Sequence, residues 1–133
     1  MELTEQSQGP AGGPQTLATI GQDDRVTQAA RVMHANRVGC LAVLGDHEAL
    51  VGILSERDIL RWLSTGTAQS FSARVKDIMT RQVVTCAPGI TQEDALRLMV
   101  QHRIRHLPVV ENGRLVGMIS SRDLMAGQVH SSE

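Results

Sequence analysis

One motif occurs twice in this chain, and the repetition constrains the fold more than any other feature. The run LVGILSERD at residues 50–58 returns as LVGMISSRD at residues 115–123. In both copies an apolar run ends in Ser-x-Arg-Asp, which is typical of a strand that leads into a helix through a serine N-cap. A chain built in this way is expected to fold as two similar halves.

The rest of the sequence extends each copy to the order strand, helix, strand, strand, helix. Met33 aligns with Met99 at an offset of 66, and Asp58 with Asp123 at an offset of 65, so the one-residue difference falls in a loop. Periodicity and turn signals predict strands at 17–20, 40–44, 50–54, 83–86, 107–110 and 115–119, and helices at 26–37, 55–64 and 91–102, with a short one from Ser120.

Composition excludes several classes of partner. With 133 residues, 41% of them hydrophobic, the chain can form one core or two very small ones. The net charge is −1 and the basic residues are dispersed, which argues against nucleic acid and anionic membranes as partners. Tyr is absent, and the single Trp and Phe offer few platforms for stacking bases.

The sequence also predicts where the protein resides and how it is divided. No apolar run approaches the roughly 18 residues of a membrane span, and the acidic start does not resemble a signal peptide, so we expect a cytoplasmic protein. Cys40 and Cys86 lie in apolar patterns without C-x-x-C and are expected to be reduced core residues. The predicted segments are a disordered tail (1–16), repeat one (17–64), a linker (65–75), repeat two (76–126) and a C-terminal tail (127–133).

Taken together, these motifs resemble a known family. Both repeats end in Gly-h-h-Ser-x-x-Asp, where h is apolar; VKDIMT (75–80) precedes the second repeat and RIRHLPVV (103–110) lies inside it. The chain resembles a tandem pair of CBS domains, a Bateman module, of the small stand-alone bacterial type. The resemblance implies an α+β fold of two β-α-β-β-α repeats packed about a pseudo-twofold axis. It also implies clefts between the repeats that bind AMP, ATP, NAD or S-adenosylmethionine.

The closing motif has two interpretations. Ser55 with Asp58, and Ser120 with Asp123, fit a helix capping box, which alone would explain them. They also fit a nucleotide site, because a carboxylate can accept hydrogen bonds from both vicinal hydroxyls of a ribose. The serine and the first amides of the helix could then hold phosphate, and a glycine three residues before the serine would allow close approach. The resemblance favours ligand binding by at least one copy.

Further ligand contacts are implied by the resemblance alone. In the family, main-chain groups read the adenine edge, which points to Thr80, Val83 and Leu107 and, less directly, to Thr19 and Leu41. Ordinary core packing explains each of these residues equally well.

The two repeats differ where a phosphate would be held. Repeat two carries Arg103, Arg105 and His106 at positions where family members place basic residues. The aligned residues of repeat one are Arg37, Gly39 and Cys40, which keep only the first charge. We therefore expect unequal sites, with the choice between Asp58 and Asp123 left open. A solvated strand edge is the alternative explanation of the arginines.

No catalytic or metal constellation is apparent. His102 and His106 are four apart, but the predicted helix ends between them and no third ligand is near. P-loop, G-x-S-x-G and Cys-His patterns are missing. The sequence thus predicts a non-enzymatic regulatory module without an obligatory cofactor, with AMP the first candidate ligand. A homodimer and a regulated partner protein are also expected. The alternative is a ligand-free dimerisation or protein-interaction module. In either case self-association is supported by apolar helix residues, namely Ile59, Leu60, Trp62 and Leu63.

Overall fold

A β-hairpin followed by a capped helix forms the centre of each half of the chain. The computed structural model describes residues 17–66 and 71–125, so the predicted tails lie outside the described residues. The contacts divide the described chain into a first unit, Ala18–Val83, and a second unit that begins at Val84. The mixture of strands and helices agrees with the predicted α+β class.

The first unit contains all five predicted elements of repeat one. They are β1 (Thr19–Gly21), α1 (Val26–Asn36), β2 (Cys40–Leu44), β3 (Leu50–Ser55) and α2 (Glu56–Leu63). The sheet order is β1-β2-β3, with β1 parallel and β3 antiparallel to β2. Val26, Ala29 and Met33 recur on one face of α1 and are buried against the apolar side chains of the sheet, as the helical spacing predicts.

The segment after residue 71 packs on this first unit. It contains α3 (Val75–Ile78), whose Val75 N–H donates to the Asp24 carbonyl at 2.8 Å. Thr80 then pairs with Ile53 of β3 through two backbone hydrogen bonds, of 2.9 and 2.8 Å. The boundary of repeat two at residue 76 stays a prediction from the sequence. By its contacts this segment lies with the first unit, because it hydrogen-bonds to amides and carbonyls on the outer edge of β3.

The second unit is built on a tight hairpin. Its elements are α4 (Gln92–His102), β4 (His106–Glu111), β5 (Arg114–Ser120) and α5 (Ser121–Met125). Asn112 and Gly113 both have positive φ, 53° and 79°, as the type I′ turn of a two-residue hairpin requires. Ala95 and Met99 of α4 pack on Leu107 and Ile119 of the hairpin in the core of this unit.

The predicted strand at residues 83–86 is wrong: only Cys86 pairs with Val109, as an isolated bridge. In the first unit, two backbone hydrogen bonds flank the equivalent pairing of β1 with β2. The Ala42 amide donates to the Ala18 carbonyl, and the Gln22 amide donates to the Leu44 carbonyl. The residues aligned with these two donors are Pro108 and Pro88. Because proline has no N–H, neither flanking bond can form in the second unit.

Within the described residues, no helix is long and apolar enough to cross a membrane.

Candidate functional site

Each Ser-x-x-Asp motif lies at a junction where a strand ends and a helix begins. At the first junction, the Asp58 amide donates to Ser55 Oγ at 3.1 Å and the Ser55 amide donates to Asp58 Oδ2 at 3.0 Å. At the second, Ser120 and Asp123 make the same two bonds, both of 3.1 Å. Both motifs are therefore capping boxes, as one of the two interpretations predicts. A capping box occupies one carboxylate oxygen and leaves the other for a further partner.

The two carboxylates differ in their surroundings. Asp58 is 6% exposed, and its second oxygen, Oδ1, accepts a hydrogen bond of 3.2 Å from Arg61 Nη1. Asp123 is partly exposed, and no hydrogen bond from another described residue reaches its Oδ1. Among the described residues, the second junction thus has a partly exposed carboxylate with one oxygen that accepts no hydrogen bond, whereas both carboxylate oxygens accept one at the first.

Strand register sets the residue beside each serine. Cys40 lies opposite Ser55, and His106 opposite Ser120. Burial, and secondly the negative charge of Asp58, raise the pKa of the Cys40 thiol to about 12, so this thiol is neutral at physiological pH. The second junction has instead a half-buried imidazole, which can donate a hydrogen bond or carry a positive charge.

A second pair of aligned positions lies next to these. The first residue of each helix donates to the last loop residue before the first hairpin strand: Glu56 to Gly39 at 2.9 Å, and Ser121 to Arg105 at 2.8 Å. The two junctions thus share this backbone hydrogen bond, but the side chains at these positions differ in charge. The first junction has a carboxylate beside a glycine, and the second has an exposed guanidinium beside a hydroxyl.

Arg103 is also exposed, and it ends α4 in the left-handed conformation, with φ of 57°. Arg37 ends α1 with the same φ of 57°.

The residues expected to contact adenine do not lie together in one unit. The side chains of Leu41 and Leu107 are fully buried in the two cores, so only their main-chain atoms could meet a ligand. Thr19 is half-buried in β1. Thr80, which is exposed, and Val83, which is half-buried, belong to the first unit, whereas Leu107 belongs to the second.

The two motif glycines are not equivalent either. A Cβ on Gly52 would lie 2.6 Å from Met79 Sδ and 2.9 Å from the Thr80 carbonyl oxygen, so this glycine makes room for the chain itself. A Cβ on Gly117 would have Val109 as its closest described neighbour, at 3.7 Å. The sequence alone did not predict that Met79 packs against Gly52, that Glu56 lies near Gly39 or that Arg61 pairs with Asp58. A comparison of residue 56 with residue 121 would have shown the difference in charge between the two junctions.

The described part of the chain contains no group of three or more His, Cys, Asp or Glu side chains that could hold a metal ion. His102 lies at the end of α4 and His106 at the start of β4.

Fold and motifs together define a protein with paired CBS domains. The CBS domain family model matches residues 15–65 and 75–129, so the chain belongs to the CBS-domain family.

Several relatives are similar over most of the chain. The CBS domain-containing protein CBSX3 of Arabidopsis thaliana, named as mitochondrial, is 38% identical over 112 residues, which are 81% of this chain and 54% of that protein. CBS domain-containing protein YhcV of Bacillus subtilis is 34% identical over 114 residues, 85% of this chain and 79% of YhcV. The chain spans about half the length of CBSX3 and 21% of an inosine-5'-monophosphate dehydrogenase of Methanocaldococcus jannaschii.

Solved structures agree with the fold. A CBS-domain containing protein of Agrobacterium tumefaciens superposes with a TM-score of 0.80 at 33% identity, covering 87% of both chains. The structure of CBSX2 in complex with AMP superposes with a TM-score of 0.71 at 27% identity, covering 84% of this chain and 87% of that one.

Proposed function

We propose that this chain is a non-enzymatic regulatory module that binds an adenosine-containing ligand, AMP in the first place, and ADP, ATP, NAD or S-adenosylmethionine as further candidates. The observation that carries the proposal is the second junction, where the partly exposed Asp123 lies in the same strand-helix corner as a capping serine and basic residues. The AMP complex of the related CBSX2 supports the ligand class.

In this proposal Asp123 holds the ribose. Its Oδ2 keeps the bond to the Ser120 amide, while Oδ1 and the remaining lone pair of Oδ2 accept the two ribose hydroxyls. Asp58 is the poorer candidate, because accepting a ribose would require displacing Arg61 from a carboxylate that is already buried.

The phosphate is assigned to basic groups of the same unit. Arg105 is exposed, and its carbonyl accepts from the first amide of α5, so its backbone lies at the second junction and its guanidinium is available to a phosphate there. Arg103, less directly, adds positive charge, and the imidazole of His106 adds a hydrogen-bonding group. Adenine would be read by main-chain atoms of Leu107. Thr80 and Val83, which belong to the first unit, stay contacts predicted from the family resemblance. Ser55, Thr19 and Leu41 belong to the corresponding corner of the first unit, which we expect to bind the ligand weakly or not at all.

A second candidate function is that of a dimerisation or protein-interaction module without ligand. It is favoured by two exposed apolar side chains one helical turn apart on α4, Leu96 and Val100, which are 40% and 76% exposed. The sequence also predicts self-association through apolar residues of α2. Of these, Leu60 is exposed, whereas Ile59 is buried. We propose a homodimer with either function, and a regulated partner protein in the cytoplasm.

The deciding experiment is thermal unfolding of the purified chain with AMP, ADP, ATP, NAD and S-adenosylmethionine. A ligand at about 100 times its dissociation constant should stabilise the folded state by about 2.7 kcal/mol. We expect Asp123→Ala to abolish this ligand-induced shift and Asp58→Ala to leave it. Both variants remove the same half of a capping box, and Asp58→Ala also breaks the ion pair with Arg61, so each variant's own unfolding midpoint without ligand is the reference for its shift.

Two results would contradict the proposal. Absence of a shift with every ligand, in protein shown to be free of co-purified nucleotide, would favour the interaction module. Conversion of ATP to another product during incubation would contradict the non-enzymatic assignment.

A further inference from the structure

We infer that the first junction is closed to phosphorylated nucleosides by two of its own side chains, Glu56 and Arg61, so that the chain binds a single equivalent of nucleotide, at the second junction. This inference rests on the proposed function and extends it: it names the residues that decide which of the two similar corners accepts the ligand.

Glu56 occupies the place where a phosphate-binding side chain would stand. The three atoms nearest to an ideal Cβ on Gly39 all belong to the Glu56 carboxyl group, at 3.1, 3.2 and 3.6 Å. The carboxylate therefore lies directly over Gly39, the position that Arg105 occupies in the second unit. A carboxylate in the first turn of α2 interacts favourably with the helix dipole, and it repels a phosphate approaching the same place.

Arg61 closes the ribose side of the same corner. Its Nη1 donates to Asp58 Oδ1 at 3.2 Å, while the Ser55 amide donates to Oδ2 at 3.0 Å. The side chain of Asp58 is 7% exposed. A ribose that used both oxygens of Asp58 would compete with this ion pair and would have to reach a carboxylate that is almost fully buried.

The second copy lacks both features. The residues aligned with Glu56 and Arg61 are Ser121 and Ala126, which carry no charge. Gly39 is replaced by Arg105, whose side chain is exposed. The two junctions share their capping bonds and differ in the groups that would repel or attract a nucleotide.

The test is a reciprocal exchange measured by isothermal titration with AMP and with ATP. Wild type should bind one equivalent, and Ser121→Glu, which copies Glu56 into the second junction, should weaken binding by at least about tenfold. Ser121→Gln is the matched control of nearly equal size without charge, and it should stay within about threefold of wild type.

The converse variant opens the first junction in a chain whose second site is disabled. Asp123→Ala should bind nothing, and adding Gly39→Arg, Glu56→Ser and Arg61→Ala should restore one equivalent. Gly39→Arg is made together with Glu56→Ser because the new Cβ would otherwise lie 3.1 Å from the carboxylate. Circular dichroism of each variant checks that it is folded.

The outcomes separate this inference from the proposed function. Two equivalents bound by wild type, equal losses in Ser121→Glu and Ser121→Gln, or no binding by the opened variant would overturn the inference and leave nucleotide binding in place. No binding of either nucleotide by wild type and by all variants would overturn both.

Discussion

At the scale of single residues, the two repeats place different chemistry on nearly the same backbone. Gly52 and Gly117 occupy the same place in the repeated motif, and both were expected to admit a ligand. Met79 and Thr80 fill the space at Gly52, whereas no described atom comes closer than 3.7 Å to a Cβ at Gly117. The same sequence motif therefore serves chain packing in one copy and leaves room in the other.

This difference predicts opposite effects of the same substitution. Gly52→Ala should destabilise the fold by about 1–3 kcal/mol, because its Cβ would overlap the Thr80 backbone, which cannot move as a flexible side chain can. Gly117→Ala is the matched control and should change stability by less than about 1 kcal/mol. Urea unfolding measures both, and equal losses would contradict the packing at Gly52.

The buried thiol of Cys40 predicts a pH dependence. Burial, aided by the Asp58 charge, raises the pKa of this thiol from 9.0 to about 12 in the folded protein. Above about pH 9 the unfolded chain loses a proton that the folded chain retains, so stability is full below that pH and falls as the pH rises, by at most about 1.4 kcal/mol per pH unit.

The measurement is chemical unfolding from about pH 8 to about pH 10.5, compared between wild type and Cys40→Ala. The variant loses stability at every pH, but its decline with pH should be shallower than that of wild type. Cys86, whose pKa burial raises to about 11, contributes to the slope of both proteins and cancels in the comparison. Parallel slopes would show that Cys40 titrates normally in the folded state.

At the scale of elements, helix ends show where the local sequence and the fold disagree. Helices α1 and α4 are each followed by an arginine in the left-handed conformation, Arg37 and Arg103, at a position where glycine is usual. The left-handed conformation costs roughly 1–2 kcal/mol for a residue with a Cβ. Glycine avoids this cost, but it loses more conformational entropy on folding, so the net gain from a glycine is smaller.

We therefore expect Arg37→Gly to stabilise the protein by about 0.5–1 kcal/mol in urea unfolding, with nucleotide binding unchanged. Arg103→Gly should stabilise α4 to a similar degree and weaken nucleotide binding if Arg103 contributes charge to the site. Destabilisation by both variants would mean that the arginine side chains make contacts worth more than the backbone strain.

At the scale of the whole molecule, the exposed apolar side chains of α4 predict self-association. Leu96 and Val100 lie one turn apart and are flanked by the ion pairs of Arg97 with Glu93 and Asp94. An apolar stripe with a charged border is typical of an interface core with a polar rim.

Light scattering during gel filtration should find a dimer for wild type and a monomer for Val100→Glu, which places a charge in the stripe. Val100→Ala, which shortens the side chain without adding charge, is the control and should weaken the dimer less. Wild type that remains monomeric at every concentration would contradict the proposed homodimer.

Most of the fold was predictable because its signals are local. Hydrophobic periodicity and turn residues predicted α1, α4 and both hairpins, and the repeated Ser-x-x-Asp predicted both capped helix starts. The strand expected at 83–86 failed although its residues favour strands, because one donor is missing on its partner and one just after the segment itself: Pro108 and Pro88 stand where the first unit uses the amides of Ala42 and Gln22. Strand formation depends on the partner as much as on the strand.

The candidate site was predicted less completely, for the same reason. From the sequence alone one can name Ser55, Asp58, Ser120 and Asp123, since a repeated pattern of polar residues after an apolar run is visible in one dimension. The spacing of Arg61, three residues after Asp58 on the same helix, permits their ion pair, whereas only the tertiary structure decided that Glu56 lies over Gly39 and that Met79 fills the space at Gly52. Periodicity and capping depend on neighbours a few residues apart, whereas the accessibility of a carboxylate depends on side chains that folding brings to it, and the repeat does not encode which of its copies is left open.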